Sequence, residues 1–340
     1  MLLVGFRGTN AATAAAVLDD ITLRSLGGVV LFATYQPTGD PVRNIVSPAQ
    51  LSELTGALQA SALRSEAGLS LIVAVDEEGG HVARLDPAHG FPPTQSAATL
   101  GAEDDRARTR RAGRAIGVTL RDAGINLNLA PVVDLNVNPS NPIIGALDRS
   151  FGADPTLVTG QATAFIRGHH DEGILTTLKH FPGHGSSTAD SHLGVVDVSD
   201  TWTPIELVPY RRLVPAGLAD AILTAHVFNG QLDAEHPATL SHATIDGLLR
   251  GEIGYDGVVI SDDMQMGAIR QAYGYEDAVR LAILAGVDIL TIANQQVFEP
   301  DIVARTIGIV AGLVERGVVT EARIDASWRR IVALKARLLT

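Results

Sequence analysis

The sequence predicts an α/β fold, a single (β/α)8 TIM-type barrel occupying residues 1–340, and three observations carry that expectation. Eight short apolar or β-branched runs recur along the chain, amphipathic stretches lie between them, and titratable residues stand directly after the runs. A chain of 340 residues also falls within the ~200 to over ~400 residues that one such barrel spans.

In chain order the runs are 2–6, 29–32, 71–75, 126–130, 176–180, 221–225, 258–261 and 289–292. Between them, 47–65, 104–123 and 275–285 repeat apolar residues three and four apart with Arg and Glu on the opposite face, the pattern of a helix packed on a sheet. No Pro/Ser/Gly tract, charge block or internal repeat marks a linker. The rival architecture is an open doubly wound sheet, but the first turn, GFRGTNAAT, lacks the GxGxxG spacing of a dinucleotide fold. The chain opens on its first strand with no helix before it. An irregular or incomplete N-terminal region is therefore expected, with the bottom of the barrel less covered.

Composition narrows the function. The chain is 46% hydrophobic, enough for a large core, yet its apolar runs are far shorter than the ~20 residues of a membrane helix. A formal charge of −12 leaves no basic face for phosphates, which excludes nucleic acid and points to a small, neutral partner. The chain is expected to act as a monomer. With no cysteine there is no disulfide, thiolate catalysis or thiolate metal site, and a reducing compartment is favoured. The first residues place Arg7 inside the apolar stretch and carboxylates straight after it, the wrong order for a signal peptide, so a cytoplasmic location is expected.

Barrel chemistry sits at the C-terminal ends of the strands. There the sequence supplies Asp76 after the third run, Lys179 and His180 at the end of the fifth, His226 after the sixth, Asp262 after the seventh and Asn294 after the eighth. Any one Asp could be a helix cap; the set at one rim reads as an active site. In the segment KHFPGHGSSTADSHLG, residues 179–194, Pro182, Gly183 and Gly185 force a loop that carries His184, Asp190 and His192 over the mouth. Asp190 and His192 are close enough in a turn for the carboxylate to hold one imidazole tautomer, as a general acid/base requires. The alternative is a surface turn with a solvated histidine. Of the adjacent Asp262 and Asp263, only one is expected to face the barrel axis. Asp262 is preferred, because Asp263 precedes MQMGAIR and can cap that helix.

In this order and spacing, VDEEGGHVARL, NLAPVVDLN, DRSFG, LKHFPGHGSSTADSH and ISDDMQMGAI resemble glycoside hydrolase family 3, and within it the β-N-acetylhexosaminidases of the NagZ type. The resemblance covers essentially the whole chain. It implies a retaining exo-glycosidase with no metal or organic cofactor. Residue by residue it implies Asp262 as nucleophile, His192 paired with Asp190 as acid/base, and Asp76, Arg84, Arg149, Lys179 and His180 holding the sugar. It also suggests GlcNAc-containing muropeptide fragments from cell-wall recycling as substrate, with chitooligosaccharides as the alternative. His81 departs from the pattern, standing where Arg is common. Two other readings stay open at this level. A phosphorylase is compatible with a histidine acid/base, which repels phosphate less than a carboxylate. A metal-dependent barrel hydrolase could draw on His180, His184, His192 and His226, although GlyPheArgGly after the first strand replaces the usual HxH pair.

Overall fold

All eight expected strands form in the computed structural model, which describes residues 1–36 and 38–338. They are β1 (Leu2–Gly5), β2 (Gly28–Leu31), β3 (Ile72–Val75), β4 (Leu127–Asn128), β5 (Leu175–Phe181), β6 (Ala221–Thr224), β7 (Val258–Asp263) and β8 (Ile289–Ile292). Each pairs in parallel with its sequence neighbour, and β8 pairs with β1 to close the barrel. Helices follow the strands and form the outer layer.

Local chemistry sets the helix ends. Pro48–Arg64 starts where the Ser47 hydroxyl accepts the Gln50 N–H, and Arg106–Asp122 starts where the Asp105 carboxylate accepts those of Ala107 and Arg108. Tyr275–Ala285 stops at Gly286, whose φ of 117° an L side chain rarely adopts.

Strand alternation divides the core in two. Leu3, Val30, Ile72, Leu127, Leu175, Ala221, Val258 and Ile289 point inward and fill the barrel. The residues between them, such as Val29, Val73, Ile222 and Val259, pack against the helices. Each buried aliphatic side chain contributes roughly 1.5–3 kcal/mol.

The bottom of the barrel is covered, contrary to the sequence expectation. Ile331, Leu334 and Leu338, on and after the last helix Glu321–Lys335, join the inner cluster. Lys335 Nζ donates to Ser70 O at 2.6 Å just before β3, and Arg337 pairs with Asp220 just before β6. Arg250, Arg323 and Arg330 converge on the buried Asp288 just before β8. An amphipathic repeat in the sequence shows that this helix has an apolar face but not what that face covers.

At the opposite end two strands are irregular. On β7, Ile260 and Asp263 pair with Ile289 and Thr291, so β7 carries one residue more than β8, and Asp262 lies within that bulge. On β5, Leu178 and Phe181 pair with Ile222 and Thr224, which puts Lys179 and His180 in a second bulge. Bulges at a barrel rim re-aim side chains.

Candidate active site

A cavity of about 500 Å³ opens at the C-terminal ends of the strands. It is lined by Asp76, Arg84, Arg149, Lys179, His180, His192 and Asp262, all singled out from the sequence. Another cavity of about 540 Å³ lies at the other end, between Asp220, Tyr255 and the last helix, and holds none of them.

One wall is an ion network centred on Glu78. Its carboxylate takes two hydrogen bonds from Arg149, at 2.8 Å to Nε and 2.7 Å to Nη2, and lies 2.6 Å from Lys179 Nζ. Lys179 also bonds Asp76 Oδ1 at 2.6 Å. Burial alone would raise the Glu78 carboxyl, but Arg149 and Lys179 outweigh it and hold the group well below its ordinary value. Arg149 is almost fully engaged by protein, since Nη1 donates to Ile143 O at 2.8 Å and Nη2 reaches His180 Nε2 at 3.3 Å. Arg84 differs. Its backbone N–H bonds Glu77 at 2.8 Å, while the buried guanidinium Nε has no partner among the described residues.

His180 is held from behind by the buried Asp134, whose Oδ2 accepts from Nδ1 at 2.7 Å. That bond sets the tautomer and leaves Nε2 to accept from Arg149. Asp134 also accepts the His184 N–H at 2.8 Å, so one carboxylate ties β5 to the loop that follows it.

The loop carries the Asp190/His192 pair as the sequence proposed. Asp190 Oδ1 accepts from the His192 backbone N–H at 2.8 Å and lies 2.7 Å from Nδ1. With Nδ1 committed to the carboxylate, Nε2 is the exchangeable position. His192 borders the cavity with its side chain half exposed, whereas Asp190 stands behind it.

Asp262 extends the inward row of Val258 and Ile260. The expectation that only one of the adjacent pair faces the axis is too simple, because both border the cavity at the bulge. Hydrogen bonding separates them. Asp263 Oδ1 accepts the N–H groups of Gln265 at 3.1 Å and Ala293 at 2.9 Å, binding the strand end to β8. Asp263 is thus engaged by backbone, but it does not cap the helix Gly267–Arg270, whose N-cap is Met266. Among the described residues Asp262 receives one hydrogen bond, from Asp263 N at 2.8 Å. Burial would raise the Asp262 carboxyl, yet the imidazoles of His226, His180 and His192 hold it below its ordinary value. Burial pushes Asp263 up to about 6, with the Asp262 charge adding to the rise. Two neighbouring carboxyls pushed apart in this way suit different tasks, and the ionised, uncommitted one is Asp262.

Other sequence candidates serve as structure. His226 bonds Thr239 Oγ1 and Asp263 O, each at 2.9 Å, beneath the site. Asn294 Nδ2 donates to Gly5 O at 3.2 Å at a strand corner. His184, buried and pushed down to about 4 by that burial, bridges Ser187 Oγ at 2.6 Å and Ser191 Oγ at 3.2 Å. His81 stands at the rim, 3.8 Å from Asp148. Each of His180, His184, His192 and His226 thus has a non-metal partner, and among the described residues no three His, Cys, Asp or Glu side chains are grouped to hold a metal ion.

Sequence reasoning missed Glu78, Asp134 and Glu206. For Glu78 a signal was present, because it shares the strand face of Asp76 in VDEEGG. Glu206 lies behind the loop and accepts the Gly185 N–H at 2.9 Å, and burial pushes it up to about 7.

Comparison with known proteins identifies the family and the fold. The family described as "Glycosyl hydrolase family 3 N terminal domain" matches residues 2–334. Beta-hexosaminidase of Xylella fastidiosa (strain M23) is 37% identical over 319 residues, covering 92% of this chain and 87% of that protein. Beta-hexosaminidase A of Pseudoalteromonas piscicida is 35% identical over 94% of this chain, but the chain spans only 54% of that protein. The solved glycoside hydrolase family 3 β-N-acetylglucosaminidase from Paenibacillus sp. str. FPU-7 superposes with a TM-score of 0.89 at 37% identity, over 99% of this chain and 61% of that one. The β-N-acetylhexosaminidase from Beutenbergia cavernae DSM 12333 gives 0.87 at 31% identity, over 98% and 96%. No helix among the described residues is long and apolar enough to cross a membrane. On this match, and on a barrel with its titratable residues gathered at one rim, the chain belongs to glycosyl hydrolase family 3.

Proposed function

We propose that residues 1–340 work as one barrel unit, a retaining exo-β-N-acetylglucosaminidase. The observation that carries this reading is a carboxylate left largely free of protein hydrogen bonds, Asp262, in the same cavity as an imidazole whose Nδ1 is held by Asp190 at 2.7 Å. A retaining glycosidase needs one group to attack the anomeric carbon and one to protonate the leaving oxygen.

In the first step an Asp262 oxygen forms a bond to C1 as the C1–O bond to the leaving group breaks. The departing oxygen takes the proton from His192 Nε2, and Asp190 stabilises the imidazolium before the transfer. In the second step the neutral Nε2 takes a proton from water, which attacks C1 and releases Asp262. Asp76, Lys179 and the Arg84 side chain, which borders the cavity, supply contacts to hydroxyl or amide groups of the sugar, with Arg149 and His180 fixing that wall. The N-acetylglucosamine preference is supported by the name of the solved Paenibacillus β-N-acetylglucosaminidase, which aligns over 99% of this chain.

A role on muropeptide fragments in the cytoplasm is the finer part of the reading. It rests on the resemblance and on composition, and it is tested by comparing a muropeptide disaccharide with chitobiose: the former is expected to be hydrolysed several-fold faster, and equal or reversed rates would defeat it. The substrate class is tested with aryl β-glycosides differing only at C2. The 2-acetamido sugar is expected to exceed the 2-hydroxy sugar in kcat/KM by at least tenfold, and equal rates would defeat the assignment.

A further inference from the structure

His192 sits on a loop that reaches across from β5, so something must set its place relative to Asp262 on β7. The contacts lie on the turn that leaves Asp262. The backbone N–H of Gly267 donates to His192 O at 3.1 Å, and that of Ala268 donates to Ser191 O at 3.3 Å. Gln271 Nε2 donates to Leu193 O at 2.9 Å, and Gln296 Nε2, beyond β8, donates to His192 O at 3.3 Å. From below, His184 Nε2 meets Ser191 Oγ at 3.2 Å.

We infer that Gln271 and Gln296, with the backbone donors of Gly267 and Ala268, are a latch that positions the acid/base histidine on the nucleophile's own turn. The inference rests on the roles assigned to His192 and Asp262 above. Asp190 fixes the tautomer and the latch fixes the place, and proton transfer needs both because a small misplacement of a catalytic group is costly in rate. Gly267 shows how close the fit is. Its φ is not in the left-handed region, so alanine is compatible with the backbone. A Cβ there would nonetheless lie 2.7 Å from Leu193 C and O and 2.8 Å from His192 O. Glycine is required at this point by the seated loop, not by the helix.

Leu193 is 74% exposed and Val195 58%, so little apolar burial holds the loop down. Polar latches therefore dominate its seating. Each such hydrogen bond contributes about 1 kcal/mol, a factor of about five in the seated population.

The test measures kcat/KM for wild type, Gln271→Ala, Gln271→Glu, Gln296→Ala, Gly267→Ala and His192→Ala. Two 2-acetamido glycosides are used, one with a dinitrophenol leaving group and one with an alkyl alcohol. Thermal melting is followed in parallel. Gln271→Glu keeps the shape but replaces the donor with an oxygen facing Leu193 O, so it should match or exceed the loss of Gln271→Ala. On the alkyl glycoside the glutamine variants should lose about fivefold each and Gly267→Ala about 10²-fold, approaching His192→Ala. On the dinitrophenyl glycoside all should stay within about twofold. Adding Gln271→Ala to His192→Ala should cost nothing more.

If His192→Ala shows leaving-group dependence but the latch variants lose equally on both substrates, or on neither, the latch is overturned while the acid/base assignment stands. If His192→Ala itself shows no such dependence, the acid/base reading falls and the latch with it.

Discussion

Replacing Glu78 with Gln perturbs the site where structure and function are most tightly joined. The carboxylate is 4% exposed and neutralises two cations that are themselves 3% and 9% exposed, Lys179 and Arg149. Removing one partner of a buried pair costs about 3–5 kcal/mol, because it strands a desolvated charge. Here Lys179 keeps Asp76 at 2.6 Å and Arg149 keeps the Ile143 carbonyl, which favours the lower half of that range. For a chain of 340 residues, an unfolding entropy of ~2.1 cal/mol/K per residue converts this cost to a fall in Tm of about 4–6 °C. Scanning calorimetry or thermal fluorescence reads the shift directly. The activity loss should exceed it in kind, with kcat/KM falling at least ~10²-fold as Lys179 and Arg149 leave their places along the cavity wall. Asp262→Asn is the control. Among the described residues its carboxylate takes a single hydrogen bond, so the stability change should stay below about 1 kcal/mol while turnover vanishes. A Glu78→Gln protein melting within 1 °C of wild type would refute the reasoning, since the network would then bear no charge balance.

Two further outcomes follow from the site and its surroundings. His192→Ala should slow glycosides with poor leaving groups by ~10² to 10⁴-fold and spare acidic phenols, as read from kcat/KM across a leaving-group series. Glu206, buried and pushed up to about 7 from an ordinary 4.5, stays protonated in the folded state where the unfolded chain is already ionised. Its contribution to stability is therefore complete below pH 4.5 and lost as the pH rises to 7. Glu206→Gln keeps the neutral form, so its Tm should gain on wild type between pH 5 and pH 8 by an amount on the order of 3 kcal/mol, or ~4 °C, and a constant difference would show that Glu206 is ionised throughout.

The barrel was legible because its signals are local. A short apolar or β-branched run reads as a strand wherever it lies, and a strand formed within or across each of the eight runs, the one at 126–130 only over Leu127–Asn128. Asp262 was legible for the same reason, since strand alternation carries the inward face of Val258 and Ile260 to it. Glu78 was legible only as sharing a face with Asp76; its role was not, because its partners Arg149 and Lys179 lie 71 and 101 positions away and beside a glycine turn an acidic residue reads as solvent-facing. Asp134 escaped notice likewise, since its hydrogen bonds to His180 and His184 exist only once β5 has been bulged. The relation between Asp262 and Asp263 was half legible. Alternation separates their faces, but the bulge brings both to the cavity, and backbone donors on β8 decide which stays free. The covering of the barrel bottom by the last helix was invisible for a third reason, because periodicity names an apolar face without naming its partner.

The central claim is a covalent glycosyl ester on Asp262, and trapping it is the most direct measurement. A fluorosugar bearing the 2-acetamido group should inactivate the enzyme with time, and peptide mass spectrometry should place the sugar on Asp262, with the natural reaction releasing the β-anomer first. A label on Asp263, or no adduct together with micromolar inhibition by a thiazoline mimic of the acetamido-assisted intermediate, would contradict it.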